Sequence, residues 1–116
     1  MTTITLTPLD SDELYVAVLT ELDARGRRRE VDHEDFDADL DAATAWAETQ
    51  IRDYTAEHGP AGNYRIDLAR IDWEDWDGDT WTVDEDTTCA RAELDPTTDT
   101  ITWQTTGHFD FTEYRR

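Results

Sequence analysis

Lysine is absent from this 116-residue chain, and its ten basic groups, all arginine, face 29 aspartates and glutamates. The formal charge is −19 at pH 7. A field of that sign repels nucleic acid, anionic lipid and acidic substrates, and steers basic proteins and cations inward. Cysteine is limited to Cys89, which excludes an internal disulfide and reads as a buried small hydrophobe in a reducing compartment. No apolar run approaches the roughly 18 residues of a membrane span, and Met1–Leu9 lacks the basic start and apolar stretch of an export signal. A cytoplasmic protein without membrane contact is expected.

Chemistry is equally sparse. Ser11 is the one serine and sits in no nucleophile elbow, and there is no glycine-rich phosphate loop. A carboxylate pair for acid–base work can be drawn anywhere among so many acids, so none is specific. His33, His58, His108 and Cys89 have no zinc spacing. Asp75, Asp77, Gly78 and Asp79 resemble the middle of a calcium loop, but the first ligand position would be Trp73 and the twelfth Asp84 in place of glutamate. A non-enzymatic protein with no cofactor and no dedicated metal site is the expectation.

What is present suffices for one folded domain. Five Trp, four Tyr and three Phe in a chain that is 37% hydrophobic supply apolar volume for a single core at the commonest domain size. Leu40, Ala43, Ala47, Ile51 and Tyr54 recur at helical spacing and predict a helix over 39–58, with Asp37 or Asp39 as N-cap and His58-Gly59-Pro60 as the stop. Tyr64, Ile66 and Leu68 alternate as in a half-buried strand. The apolar positions then continue one residue late at Ile71 and Trp73, which predicts a bulge near Ala69-Arg70.

Asp77-Gly78 reads as a hairpin turn, and Leu94–Thr100 as a second turn, giving strands at 79–84, 88–94 and 100–106. Residues 14–22 fit both a helix face and a strand. Strand is preferred because Asp23–Gly26 is a turn from which 27–33 can return as a hairpin. Thr3–Thr7 can add a further strand. The fold class is therefore α+β, an antiparallel sheet of about five strands with one main helix on one face, in the order β-β-α-β-β-β-β over a single domain 1–116. The opposite face, carrying Arg65, Asp67, Thr80, Thr82, Asp84, Arg91, Glu93, Thr100, Thr102 and Gln104, is expected to be polar and solvated.

The acids are not spread evenly. Residues 30–41 hold seven and residues 72–86 hold eight, with no arginine in either stretch, whereas Arg25, Arg27, Arg28 and Arg29 cluster at a turn. Where the chain is extended, acids at every second residue repeat at roughly 6.6–6.8 Å. That spacing is comparable with phosphates along a nucleic-acid strand, so such arrays can stand in for a phosphate backbone. Acidic runs are also commonly just solvated faces. The candidate partner-binding residues are Glu34, Asp35, Asp37, Asp39 and Asp41 in the first stretch, and Asp72, Glu74, Asp75, Trp76, Asp77, Asp79, Asp84, Glu85 and Asp86 in the second. Among the aromatics there, Trp73 and Trp81 are expected on one face of a hairpin, with Trp76 the most exposed.

In size, single domain, extreme charge and lack of catalytic motif, the chain resembles small phage-encoded anti-CRISPR and anti-restriction proteins that mimic DNA. Immunity proteins against nuclease toxins share that profile. The resemblance is one of composition and carries no residue across. It implies an inhibitor that occupies the groove of a basic nucleic-acid-binding protein, a defence nuclease or toxin, without itself binding nucleic acid. The alternative is an acidic adaptor or structural domain whose charge serves solubility.

Overall fold

In the computed structural model, described for residues 4–79 and 82–114, the chain forms an antiparallel sheet with one long helix. The elements are β1 (Glu13–Leu22), β2 (Arg28–Phe36), α1 (Leu40–His58), a 3-10 turn at Pro60–Gly62, β3 (Arg65–Asp72), β4 (Thr88–Asp95) and β5 (Thr100–Gln104). Their order across the sheet is β2-β1-β3-β4-β5. This is the expected class, five antiparallel strands with one main helix. The stretch expected as a strand at 79–84 stays outside the sheet, with Asp79 and Thr82–Asp84 in loop and turn and Thr80 and Trp81 outside the described residues. No strand is assigned over Ile4–Thr7 either.

The two-way pattern of residues 14–22 has a simple cause. β1 lies one strand in from the edge, and Leu14 through Thr20 are all buried, odd positions toward the helix and even positions toward the other face. A strand covered on both sides reads as a continuous apolar run. The hairpin to β2 is set by Asp23, whose Oδ1 accepts the amides of Arg25 at 2.8 Å and Arg27 at 3.0 Å, while Gly26 takes the positive φ of 76°.

α1 covers one face. Asp39 caps it, its Oδ1 accepting the Ala42 amide at 3.0 Å, and the Gly59 amide closes the last turn on the Thr55 carbonyl at 2.8 Å. Ala43, Ala47 and Ile51 press on Tyr15, Ala17 and Leu19 of β1, Ile66 and Leu68 of β3, Ala90 and Ala92 of β4 and Ile101 of β5. Small residues on the helix let it sit close, and a large aliphatic side chain such as Ile51 contributes roughly 1.5–3 kcal/mol on burial.

The second face departs from expectation. Leu14, Val16 and Val18 of β1 with Ala69 and Ile71 of β3 form another apolar cluster, closed by Val83, Trp76 and Phe111 from the connections. Ile71 is therefore apolar because it lies under a second cover. The β1–β3 register runs unbroken from Glu13 to Thr20, whereas the β3–β4 register does shift between Leu68 and Ala69, where Cys89 is the additional residue on β4. Toward the other end of this face, Arg65, Asp67 and Arg91 are buried, so that part is not solvated; Glu93, Thr102 and Gln104 remain exposed. The radius of gyration, 13.5 Å, is that of one compact body of this length, about 13 Å per hundred residues.

Candidate acidic interface

The strand register collects the acids. Glu13 at the start of β1 pairs with Asp72 at the end of β3, and Tyr15 pairs with Phe36 at the end of β2. The Trp73 amide donates to the Asp12 carbonyl at 2.8 Å and the Tyr15 amide to the Asp37 carbonyl at 3.2 Å. The N-terminus of α1, three residues beyond β2, lies at this same end, as does the entry to β4, where the Arg70 amide donates to the Thr87 carbonyl at 3.0 Å. The later part of the first acidic stretch and the start of the second therefore converge on one end of the sheet. The arginines of the β1–β2 turn lie at the opposite end.

One hydrogen bond ties the two stretches directly. Trp76 Nε1 donates to Asp35 Oδ2 at 2.9 Å, and the indole stands edge-on to the His33 ring with centroids 6.1 Å apart. Trp76 is thus partly buried on the second cluster, and it is Trp73 that projects, 46% exposed. This reverses the expectation for both residues. Alternation placed Trp73 inside, but the chain leaves the sheet at Asp72 and turns, with the Trp76 amide donating to the carbonyls of Asp72 and Trp73. Trp81 lies outside the described residues.

Not every carboxylate in this region is available to a partner. Asp39 is committed to its helix cap. Asp84 Oδ1 accepts the amides of Asp86 at 2.9 Å and Thr87 at 3.1 Å, and Asp77 Oδ1 accepts the Asp79 amide at 2.9 Å, so both order their own turns. Asp35 holds Trp76. Glu34, Asp37, Asp41, Glu74, Asp75 and Asp79 present exposed side chains, and Asp72 is half-buried among them. Glu85 and Asp86 stand apart, over the second face, in a cleft of about 410 Å³ shared with Asp84, His108 and Asp110. The sequence reading missed Asp10, Asp12 and Glu13. Their run was visible, but only the β1–β3 pairing brings it to this end.

The electrostatics are those of crowding. Asp72 is held above the ordinary carboxylate range, by loss of water and by Asp12, Asp75, Glu13 and Glu74. Arg70 is the one arginine at this end among the described residues. It is spent on Glu13 at 2.7 Å and on the Thr7 and Pro8 carbonyls, both at 3.2 Å, and the pairing draws Glu13 below its usual value. Among the described residues no group of three or more His, Cys, Asp or Glu is arranged to hold a metal ion.

Part of the positive charge is withdrawn from the surface altogether. Arg28 (2% exposed), Arg65 (4%) and Arg91 (6%) are buried on the second face around Asp67, which is fully enclosed. Arg91 Nε donates to Asp67 Oδ1 at 2.6 Å, the Tyr114 hydroxyl donates to its other oxygen, and Arg65 Nε lies 3.9 Å from it. Arg28 Nη1 donates to the Asn63 carbonyl at 2.7 Å and to Thr20 Oγ1 at 3.3 Å, and Arg65 Nη1 donates to Glu113 at 3.2 Å. The segment 109–114 seals the group, Arg91 lying over the Phe111 ring at 5.2 Å and Arg65 over the Tyr114 ring at 5.7 Å.

Burial pushes the Tyr114 phenol up to about 12, with Asp67 adding to the effect, so it stays a donor. Burial also depresses the Arg28 guanidinium, helped by Arg65. Arg65 resists the same penalty because Asp67, Tyr114 and Glu113 surround it, and its pKa is raised. Among the described residues, three guanidiniums are thus enclosed against one enclosed carboxylate, so positive charge is concentrated inside while the acids dominate the surface. Alternation placed Arg65, Asp67 and Arg91 on one face but did not show their burial, because a buried arginine and a surface arginine are the same letter.

Cys89 is half-buried near the start of β4, its thiol donating to the Leu68 carbonyl at 3.3 Å and pushed by burial up to about 12. It is an inert thiol. Among the described residues no helix is long and apolar enough to cross a membrane. No family model, no curated protein and no solved structure matches this chain.

Proposed function

We propose that this protein is a non-enzymatic inhibitor that binds a basic nucleic-acid-binding protein, a defence nuclease or toxin, by presenting carboxylates where the partner expects phosphates. The anti-CRISPR and anti-restriction proteins act in this manner, in the cytoplasm, without touching nucleic acid themselves. The observation that carries the reading is the convergence of the later part of one arginine-free stretch, Glu34–Asp41, and the start of the other, Asp72–Asp75, with Asp10–Glu13, on one end of the sheet. A solvating coat would spread its charge to lower self-repulsion. Here the repulsion is concentrated, and Asp72 registers it. A basic groove would relieve that repulsion on binding, so charge would accelerate the encounter and the exposed Trp73 ring would supply a desolvated anchor.

The test is affinity capture from host lysate at low and at high salt, with and without added duplex DNA. The proposal expects recovery of an arginine- and lysine-rich nucleic-acid enzyme at low salt, and its loss when DNA competes. The capture is then repeated with a variant carrying Asp72→Asn, Glu74→Gln, Asp75→Asn and Asp79→Asn. Undiminished capture by that variant would overturn the placement of the interface. Capture that DNA does not disturb would overturn the mimicry.

A further inference from the structure

The way a partner would be held can be taken further, and the step rests on the proposed binding of a basic protein. β2 closes one side of the sheet, and within the sheet only β1 pairs with it. Its outer edge already accepts backbone at its first residue. The Arg28 amide donates to the Glu113 carbonyl at 2.7 Å, and Arg28 forms a parallel bridge with Tyr114. The direction of that amide follows from the hairpin. The Asp23 amide bonds the Arg27 carbonyl at 2.8 Å, so alternation along an antiparallel pair turns the Arg28 backbone outward.

Beyond Arg28 the register with β1 shifts at Val31, between the pairs Thr20–Glu30 and Leu19–Asp32. It then runs regularly to Phe36, and among the described residues no other chain segment is bridged to that outer edge. Bulges and charges are the usual guards of an edge strand. The charges on this one are of a single sign, Asp32 and Glu34 toward the helix face, Asp35 toward the other, and Asp37 just past the end. A second copy of the chain would bring the same carboxylates opposite and be repelled. An extended segment with arginine or lysine at every second residue would put its cations on one face, opposite Asp32 and Glu34, which repeat at the same spacing of roughly 6.6–6.8 Å.

We infer that the Asp32–Phe36 edge of β2 is a strand acceptor, which takes an extended basic segment of the partner as a sixth strand. Backbone pairing supplies affinity and the flanking carboxylates choose the occupant. The Asp32 carboxylate, which accepts the His33 amide at 2.8 Å in the free protein, guards the edge until such a segment arrives.

Two synthetic probes test this on the intact chain: a short peptide of alternating arginine and threonine, and the same peptide N-methylated on alternate residues so that its charge is kept and its pairing edge is blocked. The unmodified peptide is expected to bind about tenfold tighter or more, the worth of two or so backbone hydrogen bonds. It is also expected to slow hydrogen exchange at β2 amides between Asp32 and Phe36. Equal binding of the two peptides without that protection would overturn strand addition and leave the charge-based partner reading standing. Binding of neither peptide at low salt would overturn both.

Discussion

Replacing Asp67 by asparagine tests the interior of this fold most sharply. The substitution keeps the shape of the side chain and removes one charge. It leaves Arg91 Nε, now 2.6 Å from Oδ1, facing a neutral amide, and the Tyr114 hydroxyl and Arg65 lose their anion. Three buried guanidiniums then have only Glu113 and, for Arg65, Glu93 at 3.9 Å as carboxylate partners, and both of these are solvated. Removing one partner of a buried ion pair costs about 3–5 kcal/mol, against a total stability of about 5–15 kcal/mol for a domain.

At about 4 °C per kcal/mol for a chain near this length, the unfolding midpoint should fall by roughly 12–20 °C. The assay is urea and thermal unfolding at pH 7, followed by tryptophan fluorescence, beside a Tyr114→Phe control. The control removes one hydrogen bond to a charged acceptor and should cost about 1.5–3 kcal/mol. A loss below about 1 kcal/mol for Asp67→Asn, or a larger loss for Tyr114→Phe, would refute the view that Asp67 holds the arginine cluster together.

Three further outcomes are expected. Asp72→Asn should stabilise the protein at pH 7, because the native carboxyl titrates above its unfolded value and its charged form is the disfavoured one. In wild type the Asp72 contribution is fully present below the ordinary carboxylate pKa and is lost as pH rises through the raised one. The variant's advantage in thermal midpoint should therefore vanish in acid, and an advantage independent of pH would contradict the assignment. Asp39→Ala should cost about 1 kcal/mol through the helix cap while weakening partner binding no more than the loss of one charge does, checked by urea unfolding and a binding titration. Cys89, with its thiol near 12 against an ordinary value of about 8.5, should react with a thiol reagent at pH 8 about a thousandfold more slowly than free cysteine.

The sequence made the covered side of the sheet readable. Asp39, the alanine stripe and Gly59 specify α1 within the chain itself, and the Asp23–Gly26 turn fixes the first hairpin. The other side was hidden because its cover is irregular. Trp76, Val83 and Phe111 reach it from connections that have no period, so residues 14–22 fitted a helix face as well as a strand, and Ile71 looked one residue late. The candidate interface was half legible on the same grounds. Charge runs along the chain showed where the acids are dense, but Asp10–Glu13 joins Asp72–Asp79 only through an antiparallel pairing some sixty residues long in sequence. Likewise the turn-ordering roles of Asp77 and Asp84 appear only once the direction of their side chains is known.

On the proposed function, the acidic end of the sheet, together with the β2 edge that runs into it, receives a basic partner. The most direct measurement is the salt dependence of the captured enzyme's affinity for wild type and for the Asp72→Asn, Glu74→Gln, Asp75→Asn, Asp79→Asn variant. A control variant should neutralise as many acids at the opposite end, Asp53, Glu57, Asp95 and Asp99. The account predicts weaker binding and a shallower dependence on salt for the first variant, with wild-type behaviour for the control. Equal losses in the two variants, or a loss in the control alone, would contradict it.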